Sequence, residues 1–394
     1  MTATLRADAA VLLPELIALR RALHAAPEVG FELPGTQAAV VAAIDDLGLE
    51  VTLGRSLSSV TAVLRGAMPG PNVVLRADMD ALAIAEETGL AYASLNGAMH
   101  ACGHDLHVAG LVGAARLLAA RREQIAGSVT FMFQPGEEAG GGAPLMLAEG
   151  VLEAAGQRAV AAYGIHVLPG EPGVFSTKAG PLMGGANVLR ISVHGVGGHG
   201  SRPHQAVDPV PVLAEIILAL QSWVTRRFDV FDPIVLSVTK LAASEILNVI
   251  PDTARCEATV RTLSAASVAK VQGELPAIVE HVAAAHGCRA ELDFEVVYPV
   301  TVNSPRETAA ALNVLRETFG TERVETLSTP VMASEDFSFV LEQVPGAFIF
   351  LGATPSGIDP AAAEMNHSPR AVFDDGVLAD QAAALAALAL SHVG

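Results

Sequence analysis

From about residue 182 the apolar pattern switches period in a fixed order. "NVLRISVHG" (187–195) alternates as a strand, and "DPVPVLAEIILALQSWVTRRF" (208–228) has helical spacing. "PIVLSVTKLA" (233–242) and "DTARCEATVRTL" (252–263) read as two strands. "AASVAKVQGELPAIVEHVAAAHG" (265–287) reads as a helix and "RAELDFEVVYPV" (289–300) as a last strand. The order β-α-β-β-α-β is that of a split, ferredoxin-like unit. It predicts a self-contained α+β domain at 182–296, inserted into a larger one made of segments 1–181 and 297–394.

The larger part has a different texture. Residues 5–24 have the spacing of an amphipathic helix, and "HVAGLVGAARLLAARRE" (107–123) is a second helix. "NVVLRADMD" (72–80) is an apolar run ending in acids, as expected of a buried parallel strand that delivers side chains at its carboxyl end. "SVTFMFQPGEEAGGGA" (128–143) is a strand running into a Pro/Gly loop, and "AAYGIHVLP" (161–169) is a strand with a histidine near its end. Strands alternating with helices predict an α/β sheet covered on both faces.

Charge excludes several classes of function. The 394 residues carry 24 Lys and Arg against 42 Asp and Glu, a net charge of −18. That balance disfavours nucleic acid and anionic membrane surfaces, both of which need basic patches. Asp8 and Glu15 interrupt the N-terminal apolar run, so it does not read as a secretory signal. No stretch reaches the roughly 18 apolar residues of a membrane span. Cys102, Cys256 and Cys288 are too scattered for a disulfide framework, and a cytoplasmic location is expected.

"MHACGHDLH" (99–107) concentrates one cysteine and three histidines in nine positions. Cys102 and His104 are two apart, which in an extended segment puts both on one side. Thiolate and imidazole together suit borderline cations, although a single Cys-x-His pair is a weak signal. Glu137 and Glu138 follow an apolar strand. In isolation such a pair is more often solvated surface, but here they fall at a sheet's carboxyl edge. His166 ends a strand, where a backbone partner is the ordinary outcome, and His367 in "EMNHSPR" is by itself a surface histidine. Together these residues supply enough donors for two cations. The same cysteine could instead be a nucleophile served by His104 or His107.

The blocks "RRALHAAPEVGFE", "LRADMDAL", "MHACGHDLH", "FQPGEEAGGGA", "GIHVLPG", "GVGGHGSRPH", "NVIPD", "SEDF" and "NHSP" occur in this order over nearly the whole chain. In this the sequence resembles the metal-dependent amidohydrolases that include hippurate hydrolase, bacterial N-acyl-amino-acid hydrolases and the plant hydrolases of indole-acetyl amino acids. They belong to a wider aminoacylase and glutamate carboxypeptidase group. The resemblance implies a sheet-centred catalytic domain with an inserted dimerisation or lid domain. It implies two divalent ions per subunit (Zn, Mn, Co or Ni) held by Cys102, His104, Glu138, His166 and His367. Glu137 matches the general base and Asp80 an acid that orients a ligand. Asp78 stands where distant relatives carry a ligand histidine.

In the inserted domain His199 matches an oxyanion donor, and Asn248 and Arg261 match positions that hold the substrate. His24, Pro27 and Glu28 match a block read as structural, and His107 is read as packing or support. His194, His204, His281, His286 and His392 have no argument for ligation. Gly136 and Ala333 replace the usual alanine and glycine of their motifs.

The implied reaction is hydrolysis of the amide of an N-acyl amino acid by a water activated between two ions, about 3.5–4 Å apart in such sites. Glu137 would take the water's proton. A dipeptidase or carboxypeptidase on the same scaffold and a non-catalytic, zinc-stabilised binding protein are the alternatives. The resemblance also implies a homodimer, or a higher homo-oligomer, in which His199 reaches the partner's site.

Overall fold

The computed structural model describes residues 2–394, with side chains from Thr4 onward. The chain forms two compact units. The first comprises the residues up to Leu182 with Val302–Thr329 and Asp336–Gly394. The second comprises Met183–Thr301 with Pro330–Glu335. The second unit therefore runs past 296, because its last strand continues to Tyr298, and it also takes in a short segment from beyond 300.

Among the described residues of the first unit an eight-stranded sheet has the order Glu50–Leu53, Val60–Arg65, Ala126–Gln134, Met68–Asp78, Ala161–Leu168, Gly346–Gly352, Phe175–Thr177, Val324–Thr326. Its centre is parallel: Met68–Asp78 pairs in parallel with both Ala126–Gln134 and Ala161–Leu168, and the latter with Gly346–Gly352. The short strands Glu50–Leu53 and Val60–Arg65 run antiparallel, so the sheet is mixed.

Residues 72–78, 128–134 and 346–352 are buried without alternation. Successive strand residues point to opposite faces, so both faces of the central sheet are covered. The parallel register brings the carboxyl ends of three strands together. There the chain presents Asp78, then Glu137 and Glu138 just beyond Gln134, and His166.

Helices Thr2–Ala25, His104–Ala119 and Val377–Val393 pack on one another, and the latter two also pack on the central strands. The alanine-rich last helix is buried almost throughout. Its approach to His104–Ala119 requires glycine at 113, where a Cβ would lie 2.7 Å from Ala382 Cβ. No described helix is long and apolar enough to cross a membrane.

The block at 20–32 has partners throughout. The buried Arg20 guanidinium donates to Asp105 Oδ2 (2.6 Å), Tyr92 Oη (2.7 Å) and Asp375 Oδ1 (2.9 Å). His24 shares Asp105 Oδ2 at 2.7 Å. The Glu28 carboxylate accepts from Gly35 N (3.1 Å) and Thr36 N (2.8 Å), satisfying the first turn of the helix Pro34–Ile44. The Pro27 carbonyl accepts from Asn96.

The second unit holds a four-stranded antiparallel sheet in the order Val235–Ala242, Thr253–Thr262, Gly185–His194, Arg289–Tyr298. One face is apolar: Leu189, Ile191, Val193, Cys256, Ala258 and Val260 pack under helices Pro209–Arg227 and Ala265–Ala285. Both helices start at a side-chain cap, Asp208 accepting from Val210 N and Ser264 from Ser267 N, each worth about 1 kcal/mol. The strand and helix order is the β-α-β-β-α-β expected.

Candidate metal centre

Eight potential donors meet at the carboxyl edge of the first unit's sheet. Each residue of two groups offers one ligand atom, and within each group these atoms lie within 4.8 Å of one another. One group is Asp78, His104, His107 and His166, and the other is Cys102, Glu138 and His367. His104 also groups with Glu137 and Glu138, so the sets adjoin.

Local structure fixes each donor. Gly103, at φ 83°, turns the chain between Cys102 and the helix that His104 opens. A Cβ there would lie 2.4 Å from Val167 Cγ2, so the turn also needs glycine for space. His104 Nδ1 donates to the Asp80 carbonyl (2.8 Å), which leaves Nε2 turned toward Asp78 Oδ2 at 3.5 Å with no hydrogen-bond partner. His166 Nδ1 bonds the Val167 carbonyl (2.7 Å), and its Nε2 lies 3.4 Å from Cys102 Sγ. Glu138 Oε1 lies 2.9 Å from His367 Nε2.

His107 is held differently. Its Nδ1 meets Asp78 Oδ1 and its Nε2 accepts from Val167 N (2.8 Å), so both ring nitrogens are engaged. It cannot also serve Cys102 as a base, which weighs against the thiol-nucleophile reading. Asp78 is shared between His107 and the buried Arg76, whose Nη1 donates to Oδ2 at 2.6 Å.

Asp80 acts in another way than a carboxylate gripping a histidine. Its two oxygens accept from Glu137 N (3.0 Å) and Glu138 N (2.9 Å), and its carbonyl holds His104. One residue thereby sets both the paired carboxylates and a neighbouring imidazole. Glu137 is buried.

Electrostatics match the donor set. Burial would push the Cys102 thiol up, but the charge of His166 and the nearness of the His104, His166 and His367 imidazoles hold it well below its usual range. Hydrogen bonds to Cys102 and then Glu138 raise His367 to about 10. Burial works against charge on His104, yet Asp78 leads the contacts that lift it well above the ordinary value. Burial takes His107 down to about 4 in spite of Asp78. Without a metal these shifts favour charged imidazoles beside a thiolate and carboxylates, and a divalent cation taken up by such donors would displace those protons. The orphaned His104 Nε2 and the mix of thiolate, imidazole and carboxylate fit a pair of borderline divalent ions.

The remaining candidates lie in the second unit. His199 is exposed, with Nδ1 accepting from Ser201 N at 3.1 Å. It pairs with Val249 in a two-residue ladder, and the Asn248 carbonyl accepts from Gly200 N (2.8 Å), so the fold brings His199 and Asn248 side by side. Arg261 donates to Ser334 Oγ (3.2 Å).

Three site-supporting residues, Arg76, Asp336 and Asn366, lie in blocks quoted from the sequence but are given no role there. Arg76 joins Asp78, Gln134 and Asp336 in one buried network. Its signal was a lone arginine inside an otherwise apolar strand. Asp336, in "SEDF", also accepts from Gln134 Nε2 and Ala143 N. Asn366 carries no such signal.

The sequence profile described as peptidase family M20/M25/M40 matches residues 74–391. Over 381 residues the chain is 37% identical to thermostable carboxypeptidase 1 of Saccharolobus solfataricus, covering 95% of this chain and 94% of that one. It is 35% identical to the N-acetyl-L-cysteine deacetylase of Bacillus subtilis, covering 86% and 80% of the two chains. The crystal structure of the Bacillus subtilis YXEP protein, described as a dinuclear metal binding peptidase, superposes with a TM-score of 0.82 at 32% identity over 97% of this chain and 98% of that one. The chain is therefore a hydrolase and a member of peptidase family M20/M25/M40.

Proposed function

We propose that the protein is a dinuclear metal-dependent amidohydrolase that cleaves N-acyl amino acids to a carboxylic acid and a free amino acid. The observation that carries this reading is the adjoining pair of donor groups with Glu137 and Glu138 fixed side by side by Asp80. A structural zinc site has no use for an extra buried carboxylate. Cys102, His104, Glu138, His166 and His367 hold the ions, which are Zn, Mn, Co or Ni. Bound there, the ions supply Lewis acidity to the amide carbonyl and to water.

Glu137 takes the attacking water's proton as its oxygen bonds to the carbonyl carbon. It then returns the proton to the nitrogen as the C–N bond breaks. His199 donates to the developing oxyanion from the partner subunit of a homodimer, Arg261 pairs with the substrate's carboxylate, and Asn248 helps hold that end. The protein acts in the cytoplasm. The relatedness to an N-acetyl-L-cysteine deacetylase supports the N-acyl class.

A second reading, exopeptidase action on the same centre, is favoured by the relatedness to a thermostable carboxypeptidase. The test is a substrate panel run on apo-protein reloaded with each of the four metals. N-acetyl and N-benzoyl amino acids should outpace dipeptides of the same C-terminal residue. Faster turnover of the dipeptides would reverse the assignment, and full activity without metal would end both.

A further inference from the structure

The side chain of Asn366 sits where three ligand-bearing segments meet. Its Nδ2 donates to the Cys102 carbonyl (3.1 Å) and the Val167 carbonyl (3.2 Å), and lies 3.7 Å from Cys102 Sγ. These acceptors fix which end of the amide faces inward, since an oxygen there would oppose two carbonyl oxygens. The Val167 carbonyl is also the group that holds His166 Nδ1, at 2.7 Å. The next residue along is His367, the one non-glycine among the described residues with a positive φ, 71°.

A left-handed backbone at a side-chain-bearing residue persists only where its surroundings hold it. On one side the hold is the bond from His367 N to the Ala101 carbonyl (3.0 Å), and on the other it is the Asn366 amide. We propose that Asn366 is a positioning residue of the donor cluster, whose amide locks the Cys102, His166 and His367 segments into one arrangement. The amide also shares the thiolate's surroundings, donating hydrogen-bond character beside Sγ. The inference rests on the metal-binding reading above. Partners behind a ligand set its orientation and basicity, and their loss commonly weakens metal binding by about 10–100-fold.

The test compares apo wild type with N366A and N366D, each titrated with Co(II) by equilibrium dialysis and absorption. Cobalt is used because its thiolate-to-metal band in the near ultraviolet reports on Cys102 directly. In N366A at least one equivalent of cobalt should bind roughly 10–100-fold more weakly, with the thiolate band shifted or reduced. N366D, the same shape with a donor replaced by an anionic oxygen, should be affected at least as strongly, and it carries the test if N366A does not fold.

Unchanged cobalt affinity and an unchanged band would overturn the proposal. That holds even if the apo-protein melts at a lower temperature, because Asn366 would then be only a loop tether. A wild type that takes up no cobalt overturns the metal reading and this one with it. Two equivalents bound equally by wild type and variant overturn this one alone.

Discussion

In the first unit, the inner donors have their unused atoms tied down from behind: His104 by the Asp80 carbonyl, His166 by the Val167 carbonyl, and Asp78 by Arg76 and His107. In the second unit, His199 and Asn248 are exposed and lean on their own neighbours, Ser201 and Gly200. The first arrangement is built to hold a fixed geometry before anything binds. The second presents side chains at a surface, ready to meet something from outside their own unit. The difference teaches that a pre-organised donor cluster and surface-presented side chains are built by different means, the one by partners from distant segments and the other by bonds within a loop.

The sharpest way to break that division is at Glu137. E137Q should leave metal content unchanged while lowering kcat by roughly 10²–10⁴-fold, the usual worth of a positioned base. E138Q should instead lose metal, read by elemental analysis. Exchanged phenotypes would mean that base and ligand have been assigned the wrong way round.

His199 should come next. H199A should cost roughly 10²–10³-fold in kcat, as for one oxyanion donor, with metal content and melting temperature as in the wild type. Mixed with E137Q under subunit exchange, it should recover activity in the mixed dimer. Failure to recover despite confirmed exchange would place His199 in the same chain's site or outside catalysis.

A smaller effect is expected at Gly136, in the loop just before the paired carboxylates. Its φ is 77°, and a Cβ would lie 2.4 Å from Phe31 Cδ1 and Cε1. G136A should destabilise by about 1–3 kcal/mol in urea unfolding. Adding F31A should make the double variant better than the sum of the singles, because the steric part of the cost is shared. Strict additivity would show that Phe31 does not set the loop.

The smallest effect separates the cysteines of the two units. Burial pushes Cys256 in the second unit up to about 11, whereas Cys102 is held low. Because the folded value lies above the ordinary value of 9.0, the unfolded chain loses this proton first. Stability from Cys256 is therefore fully present below about pH 9 and is lost as pH rises toward 11, by about 1 kcal/mol per pH unit at most. C256V should flatten that part of the stability profile relative to wild type, and parallel profiles would refute the assignment.

The sequence was most legible where chemistry and periodicity coincide. The four long strands and two long helices of the second unit follow the order that their apolar spacing indicates. Cys102 with His104 stands out because cysteine and histidine are scarce in this chain, and Glu137 with Glu138 because paired acids follow a wholly apolar strand. What stayed hidden depends on partners far apart in the chain. The Arg20–Asp375 contact joins residues 355 positions apart, and Gln134 meets Asp336 across 202. Polar residues at such separations look like surface until the fold buries them together. Asn366 was hidden for another reason: its partners are backbone carbonyls, which every residue possesses. The antiparallel edge strand Glu50–Leu53 is four exposed residues long, too short to show a period.

The buried Arg20 has a consequence for the order in which the chain assembles. A guanidinium sealed from water with part of its partners missing is costly, so full closure of the core around the first helix is completed only when Asp375 joins Asp105 on Arg20. Every rung of the second unit's four-stranded sheet, in contrast, joins residues between 185 and 298. That sheet can fold while the first unit still waits for its distant half. In refolding followed by pulsed hydrogen exchange, amides of 185–194 and 253–262 should gain protection before those of 72–78.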